Sequence, residues 1–312
     1  MKINSKIAVV VPVYQAGEII DELCVRVINN LSKITDKFEI ILVDDSSSDN
    51  SWVKIKENSL KDHRIKGIKL SRNFGQHYAI TAGLQHAKGE WTVVMDCDLQ
   101  DRPDEIINLY DKALEGYDLV VAQRISRQDS FLKQISSKIF YRLFSYLTNT
   151  NQNSSVANFG IYKRKVIEAV LSMGDSVRAF PMLVQWVGFH KYELPVIHGE
   201  RTSGKSTYTF FKLIQLAFNV IIAFSQKPLR LILQLGLMIC LLTFTLGIFF
   251  LYQYFSGQIK VPGYASIIVS IWFLGGIIIS ILGGIGLYLG RVYSQVKNRP
   301  LYIISKKENF DE

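Results

Sequence analysis

Asp96 and Asp98 stand one residue apart at the end of an apolar run, E-W-T-V-V-M-D-C-D-L-Q-D-R-P-D over Glu90 to Asp104. In an extended chain, residues two apart point to the same side, so both carboxylates converge on one hard divalent cation. Magnesium or manganese suits such a pair, because it keeps few protein ligands and completes its shell with water and phosphate oxygens. The spacing therefore predicts a metal-bound diphosphate, with Asp98 holding the ion and Asp96 orienting it. A solvated, Asp-rich strand end is the plain alternative, since Asp is common in turns.

Such a pair is useful only where a rigid scaffold presents it. Lys6 to Val13 is a β-branched run ending near a proline, and Phe38 to Val43, Ile65 to Leu70, Trp91 to Met95 and Asp118 to Ala122 read as further buried strands. Helical spacing fills Ala16 to Ile34, Trp52 to Leu60, Gln76 to Ala87 and Pro103 to Glu115. Apolar strands alternating with helices predict an α/β domain with a mostly parallel sheet covered on both faces, whose ligands bind beyond the carboxyl ends of the strands. Polar residues gather at those ends: Pro12 and Tyr14, then Asp44 and Asp45, then Arg72 and Asn73, then Asp96 and Asp98.

The apolar content of 48% is concentrated late in the chain. Leu231 to Tyr254 and Tyr264 to Gly290 carry no charge, and each exceeds the roughly 20 residues needed to cross a bilayer. Lys227 and Arg230 before the first run, with Arg291, Lys297 and Arg299 after the second, place both ends in the cytoplasm. Residues 1–207 then form the catalytic domain, 208–226 an amphipathic interfacial helix, 227–291 two transmembrane helices and 292–312 a cytoplasmic tail. This predicts a multi-pass protein of the inner (plasma) membrane with its catalytic domain cytoplasmic. Beside membrane spans, the net charge of +9 points to phosphates and lipid headgroups rather than nucleic acid. Cys24, Cys97 and Cys240 suggest no disulfide framework. Gly275, Gly276, Gly283, Gly284 and Gly286 permit close helix packing, within one chain or between copies in a homo-oligomer.

V-P-V-Y (Val11 to Tyr14), V-D-D-S-S-S-D (Val43 to Asp49), S-R-N-F-G-Q (Ser71 to Gln76) and V-V-M-D-C-D-L-Q-D (Val93 to Asp101) occur in that order and together resemble the family 2 glycosyltransferases. With R-T-S-G-K-S-T-Y (Arg201 to Tyr208) and two apolar runs, nearly the whole chain is similar to that family's polyisoprenyl-phosphate glycosyltransferases, the group of dolichyl-phosphate mannose synthase and bacterial undecaprenyl-phosphate glucosyltransferases. The resemblance implies a Rossmann-like GT-A domain. It also implies transfer of one sugar, with inversion, from a nucleotide sugar, UDP-linked, to a polyprenyl phosphate such as undecaprenyl phosphate, assisted by Mg or Mn.

Under that resemblance Pro12 and Tyr14 line the base pocket, Asp44 and Asp45 read the nucleobase and ribose, and Asp96 faces the nucleotide as well as the metal. Arg124, Lys133 and Ser137 match residues that hold the lipid phosphate. Arg72 with Asn73 either contacts the nucleotide or caps the following helix, and Asp44 and Asp101 are equally suited to cap helices. Arg201, Lys205 and Ser206 form a donor-rich loop suited to phosphate oxygens. A P-loop is excluded there, because no strand-to-helix context surrounds Gly199 to Ser206.

One departure bears on mechanism. Asn158 stands where a general-base Asp is proposed in the family, and Gly160 where Arg is common. An amide accepts no proton, yet a phosphate monoester with a second pKa near ~6 is already anionic at neutral pH and needs positioning more than deprotonation. Asn158 is therefore expected to orient the acceptor phosphate, with Asp175 the fallback carboxylate. A processive polysaccharide synthase is disfavoured by two spans and no Q-x-x-R-W, and a flippase subunit by spans without polar groups. A non-catalytic scaffold has no need of acidic pairs at successive strand ends.

Overall fold

The computed structural model describes residues 5–124, 146, 156–196, 225, 227–256 and 263–310. They fall into two compact units: a sheet domain that includes the C-terminal residues from Arg299 onward, and a helical unit formed mainly within Phe210–Asn298.

In the sheet domain the strands are β1 (Ile7–Val13), β2 (Phe38–Asp44), β3 (Ile65–Leu70), β4 (Trp91–Val94), β5 (Leu119–Arg124), β6 (Val156–Lys163), β7 (Lys191–Val196) and β8 (Ile304–Glu308). The helices are α1 (Ile20–Ile34), α2 (Ser51–Lys61), α3 (Gln76–His86), α4 (Glu105–Leu114), α5 (Arg164–Ser172) and α6 (Phe180–Trp186). The strands make one sheet in the order β7-β5-β6-β4-β1-β2-β3-β8. Neighbours β4, β1, β2 and β3 run parallel, as do β5 and β7, while β6 and β8 pair antiparallel. A mostly parallel sheet is thus present, and β1 and β2 are buried along their whole lengths, as strands covered on both faces must be.

Amphipathic stripes bring the helices down. On α1 the residues Ile20, Leu23, Cys24, Val27, Leu31 and Ile34 are buried, and on α4 Ile106, Leu109, Tyr110 and Ala113 are. α1 begins later than the spacing from Ala16 predicts. The Ala16 and Gly17 amides instead donate to Ser51 Oγ and Asp49 Oδ2, each at 3.0 Å, which holds the preceding residues as a loop.

The chain proceeds from β1 outward through β2 to β3, then crosses back to lay β4 on the other side of β1. The carboxyl ends of β1 and β4 therefore flank the point where strand order reverses, the position at which open α/β sheets hold ligands.

The stretch expected as a plain tail ends in the sheet. β8 pairs with β3, Glu308 opposite Gly67 and Ile304 opposite Leu70. Past it, Asn309 Nδ2 donates to Ser59 O at 2.6 Å and Ile65 O at 2.9 Å, and the Phe310 ring meets His86 edge-on. Tyr302 also donates its hydroxyl to Gln85. Asn309 adopts φ 60°, a left-handed conformation that Asn tolerates better than Ala. Asn309→Ala should therefore cost about 1 kcal/mol. In a domain of this size that lowers the melting temperature by about 2–4 °C, readable by calorimetry; an unchanged midpoint would mean the strap contributes nothing.

The helical unit contains α7 (Lys227–Phe255) and α8 (Tyr264–Val296). Within α8, Ser270–Val296 is long and apolar enough to cross a membrane and is unburied, and it is the one such stretch among the described residues. Where α7 and α8 meet, a Cβ on Gly284 would lie 3.0 Å from Ile232 Cδ1, so a glycine of α8 serves contact within the chain. The amphipathic segment 208–226 lies outside the described residues, Ser225 excepted.

Candidate active site

Three strand-end loops meet at the switch point, and each turns on one left-handed residue: Gln15 (φ 51°) after β1, Ser46 (φ 59°) after β2 and Leu99 (φ 59°) after β4. Such conformations cost on the order of 1–3 kcal/mol for non-glycine residues and persist where the surroundings over-determine them. Leu99 is held by its side chain, which is 4% exposed within the main core.

The first two loops are stitched together. Gln15 N donates to Ser47 Oγ at 3.0 Å and Gln15 Nε2 to Ser48 Oγ at 3.2 Å, beside the bonds from Ala16 and Gly17 already described. Most of the hydroxyls in the S-S-S-D-N-S run are therefore structural. At the end of β1, Pro12 is buried in the strand opposite Val43, whereas Tyr14 is 43% exposed.

Asp44 and Asp45 are both buried but behave differently. Asp44 Oδ1 accepts from Ser47 N at 2.9 Å. Its Oδ2 has no hydrogen-bond partner, and the nearest cation, Lys69 Nζ, stands at 3.7 Å. A buried oxygen left in this state is a ready acceptor for a ligand N–H or O–H. Asp45 instead grips the start of α3: Oδ1 accepts from Phe74 N at 2.7 Å and Oδ2 from Gly75 N at 2.8 Å. Burial pushes its carboxyl above the usual range, opposed by those two amides, with Asp44 raising it further and Arg72 lowering it. Arg72 itself is exposed, its Nη1 donating to Asn73 O and its guanidinium lying 4.0 Å from the Phe74 ring centre. Close by on α3, burial drives the His77 imidazole down to about 4, so the ring is neutral at physiological pH.

Asp96 and Asp98 follow β4 and are half-buried. Gln76 Nε2, from the first residue of α3, donates to Asp96 Oδ1 at 2.6 Å. Asp96 N donates to Asp101 Oδ2 at 3.2 Å, and Asp98 Oδ1 accepts from Gln100 N at 3.2 Å. Asp101 is 3% exposed. It thus shapes the loop in addition to preceding a helix. Gln76 did not stand out as a site residue in the sequence, whereas Asp101 reads there as an extension of the metal loop or a helix-start residue. The signal for Gln76 was the G-Q that closes S-R-N-F-G-Q, the loop between the third strand and the following helix.

Asn158 lies on β6, which pairs antiparallel with β4 so that Gly160 faces Val94. The pairing ends at Val94 and Gly160, two residues short of Asn158 on β6. A Cβ on Gly160 would lie 2.9 Å from both Val120 O and Tyr162 Oη. The backbone oxygen cannot withdraw, so the Arg common in the resembled family does not fit this backbone. Tyr162 is buried, and burial, then the charge of Asp101, raises its phenol pKa. Asp175 precedes Arg178, whose Nη atoms bind Met173 O and Val170 O. Arg124 ends β5 at the same sheet edge, its side chain lying outside the described residues with Lys133, Ser137, Arg201, Lys205 and Ser206.

Asp96 and Asp98 offer carboxylate oxygens after β4, the donor type magnesium and manganese prefer. Among the described residues no group of three His, Cys, Asp or Glu side chains forms a closed metal cage. An ion there would rely on Asp96 and Asp98, with ligand phosphate and water for the remainder.

Comparison with known proteins accords with this geometry. Residues 8–171 match the model of Glycosyl transferase family 2. Over 301 residues the chain is 36% identical to an uncharacterized glycosyltransferase of Synechocystis sp., covering 96% of this chain and 95% of that one. It is 34% identical over 308 residues to the undecaprenyl-phosphate 4-deoxy-4-formamido-L-arabinose transferase of Proteus mirabilis, covering 98% and 94%. The crystal structure of glucosyl-3-phosphoglycerate synthase from Mycobacterium tuberculosis with Mn2+, UDP and phosphoglyceric acid matches with a TM-score of 0.50 at 15% identity, over 70% of this chain and 77% of that one. At that identity the likeness speaks to the fold, a GT-A type sheet.

Proposed function

The chain belongs to glycosyl transferase family 2 and is a glycosyltransferase, and from that premise we propose that it moves one sugar from a UDP-linked donor to a polyprenyl phosphate. The observation that carries this reading is the pair Asp96 and Asp98 at the β4 end, beside the sheet's switch point. The full-length similarity to a transferase acting on undecaprenyl phosphate supports the acceptor.

In this reading Tyr14 and Asp44 Oδ2, which lacks a hydrogen-bond partner, receive the nucleoside, with Pro12 shaping the end of β1 and Arg72 near the diphosphate. Asp98 and Asp96 would hold Mg2+ or Mn2+, which would supply charge neutralisation for the departing diphosphate. Asn158, on β6 beside β4, orients the acceptor phosphate. Arg124, Lys133 and Ser137, together with Arg201, Lys205 and Ser206, neutralise it. The acceptor oxygen attacks the anomeric carbon from the side opposite the diphosphate, forming one C–O bond as the other breaks, so the configuration inverts and UDP leaves. α7 and α8 both cross the cytoplasmic membrane, with basic residues at their inner ends keeping the sheet domain in the cytoplasm.

The test is transfer by the full chain, in lipid, from a panel of radiolabelled nucleotide sugars to undecaprenyl phosphate. Label from a UDP-hexose should enter a lipid-extractable product with equal release of UDP, only when Mn2+ or Mg2+ is present. Label in a growing polymer, or none in lipid with any donor, would overturn the proposal.

Asn158 adds a second expected result. Asn158→Ala should lower kcat on the order of 10- to 100-fold without shifting the acidic limb of the pH–rate profile, because the residue positions and does not ionise. Chemical rescue of the alanine variant by a buffer base would assign proton abstraction to this position instead.

A further inference from the structure

Asp96 is held from two sides, and we propose that Gln76 is the positioning residue that fixes its side chain, itself set in place by Asp45. The inference rests on the metal-dependent reading above and deepens it.

Asp45 places one carboxylate oxygen on each of two consecutive amides, Phe74 N at 2.7 Å and Gly75 N at 2.8 Å. Gly75 lies at φ 105°, a conformation that favours glycine, and turns the chain directly into α3. Gln76 is thereby locked as the first residue of that helix, and its Nε2 reaches Asp96 Oδ1 at 2.6 Å. On the other side, the buried Asp101 accepts the Asp96 backbone N–H. Backbone and side chain of one carboxylate are therefore fixed by separate segments. A neutral amide is well suited to position 76, since it orients the carboxylate without cancelling the charge that draws a cation, as Lys or Arg there would. Groups that orient metal ligands typically contribute 10- to 100-fold to metal affinity. In this arrangement Asp45, on the same loop as Asp44, acts through α3 and not by touching the nucleotide.

The experiment measures Mn2+ uptake by electron paramagnetic resonance on the full chain with UDP, and UDP binding by calorimetry with the metal chelated. Gln76→Ala should weaken Mn2+ binding 10- to 100-fold, leave UDP affinity in chelator and the melting temperature unchanged, and lower kcat in a way that excess Mn2+ partly restores. Asp45→Asn should weaken Mn2+ binding in the same way, again with UDP affinity in chelator unchanged. Where that variant folds poorly, Gln76→Leu provides the second reading, with the same expected result. Wild-type Mn2+ affinity in Gln76→Ala, or weakened UDP binding in chelator for Asp45→Asn, would overturn the inference. A wild-type chain that takes up no Mn2+ with UDP would instead remove the metal-dependent function itself, and the inference with it.

Discussion

Asp98→Ala loses sugar transfer by on the order of 10³-fold while its melting temperature stays within about 1 °C of the wild type. The expected loss follows from where charge develops. Stabilising a departing diphosphate by a bound ion is worth several kcal/mol, and each 1.36 kcal/mol is tenfold in rate, so about 4 kcal/mol corresponds to that factor. The fold should be indifferent, because Asp98 is half-buried at the end of a strand and outside the main core. Two controls sharpen the measurement. Chelator should bring the wild type down to the floor set by the variant, and the variant should respond little to chelator. A variant within tenfold of the wild-type rate would remove Asp98 from the machinery and leave the strand end as an ordinary acidic turn.

Gly83→Val should cost about 3 kcal/mol, as overfilled cores commonly do, and lower the melting temperature by roughly 6–12 °C. Helical preference alone argues the reverse direction for small substitutions, since glycine inside a helix is about 1 kcal/mol worse than alanine. Space decides instead. A Cβ at Gly83 would lie 2.3 Å from Val10 Cγ1 and 3.1 Å from Val43 Cγ2, so α3 rests almost directly on β1 and β2. A branched side chain there must lift the helix, and with it Gln76, away from the strands. Scanning fluorimetry reads the first effect, and the Mn2+ measurement described for Gln76→Ala reads the second. A midpoint within 2 °C of the wild type would show that the helix yields freely at this point.

The first five strands were legible because strands buried on both faces must be almost wholly apolar, as I-A-V-V-V-P-V and F-E-I-I-L-V-D are. The antiparallel and peripheral strands were not. β6 reads V-A-N-F-G-I-Y-K, interrupted by Asn158 and Gly160; β7 carries Lys191, Glu193 and Pro195 and is largely exposed. β8, I-S-K-K-E, has almost no apolar face, and only its partner β3 makes it a strand. At the site, the residues on strand ends were found from spacing. The relay from Asp45 through Phe74, Gly75 and Gln76 to Asp96 was hidden, because it joins three loops that lie far apart in the chain. Asp45 shows the limit most plainly: its residue type suits a ligand contact and a helix clamp equally, and the clamp became visible only in its two amide bonds.

β8 also has a consequence for biogenesis. Its partner β3 leaves the ribosome early, whereas the strand that seals it is made only after both long hydrophobic helices. Until then the flank of β3 carries unpaired amides and carbonyls, a template for pairing with other nascent chains. Completion of the sheet is therefore deferred until both helices have been made. Loss of Ile304–Glu308 should therefore injure the first-made portion of the polypeptide, by uncovering β3.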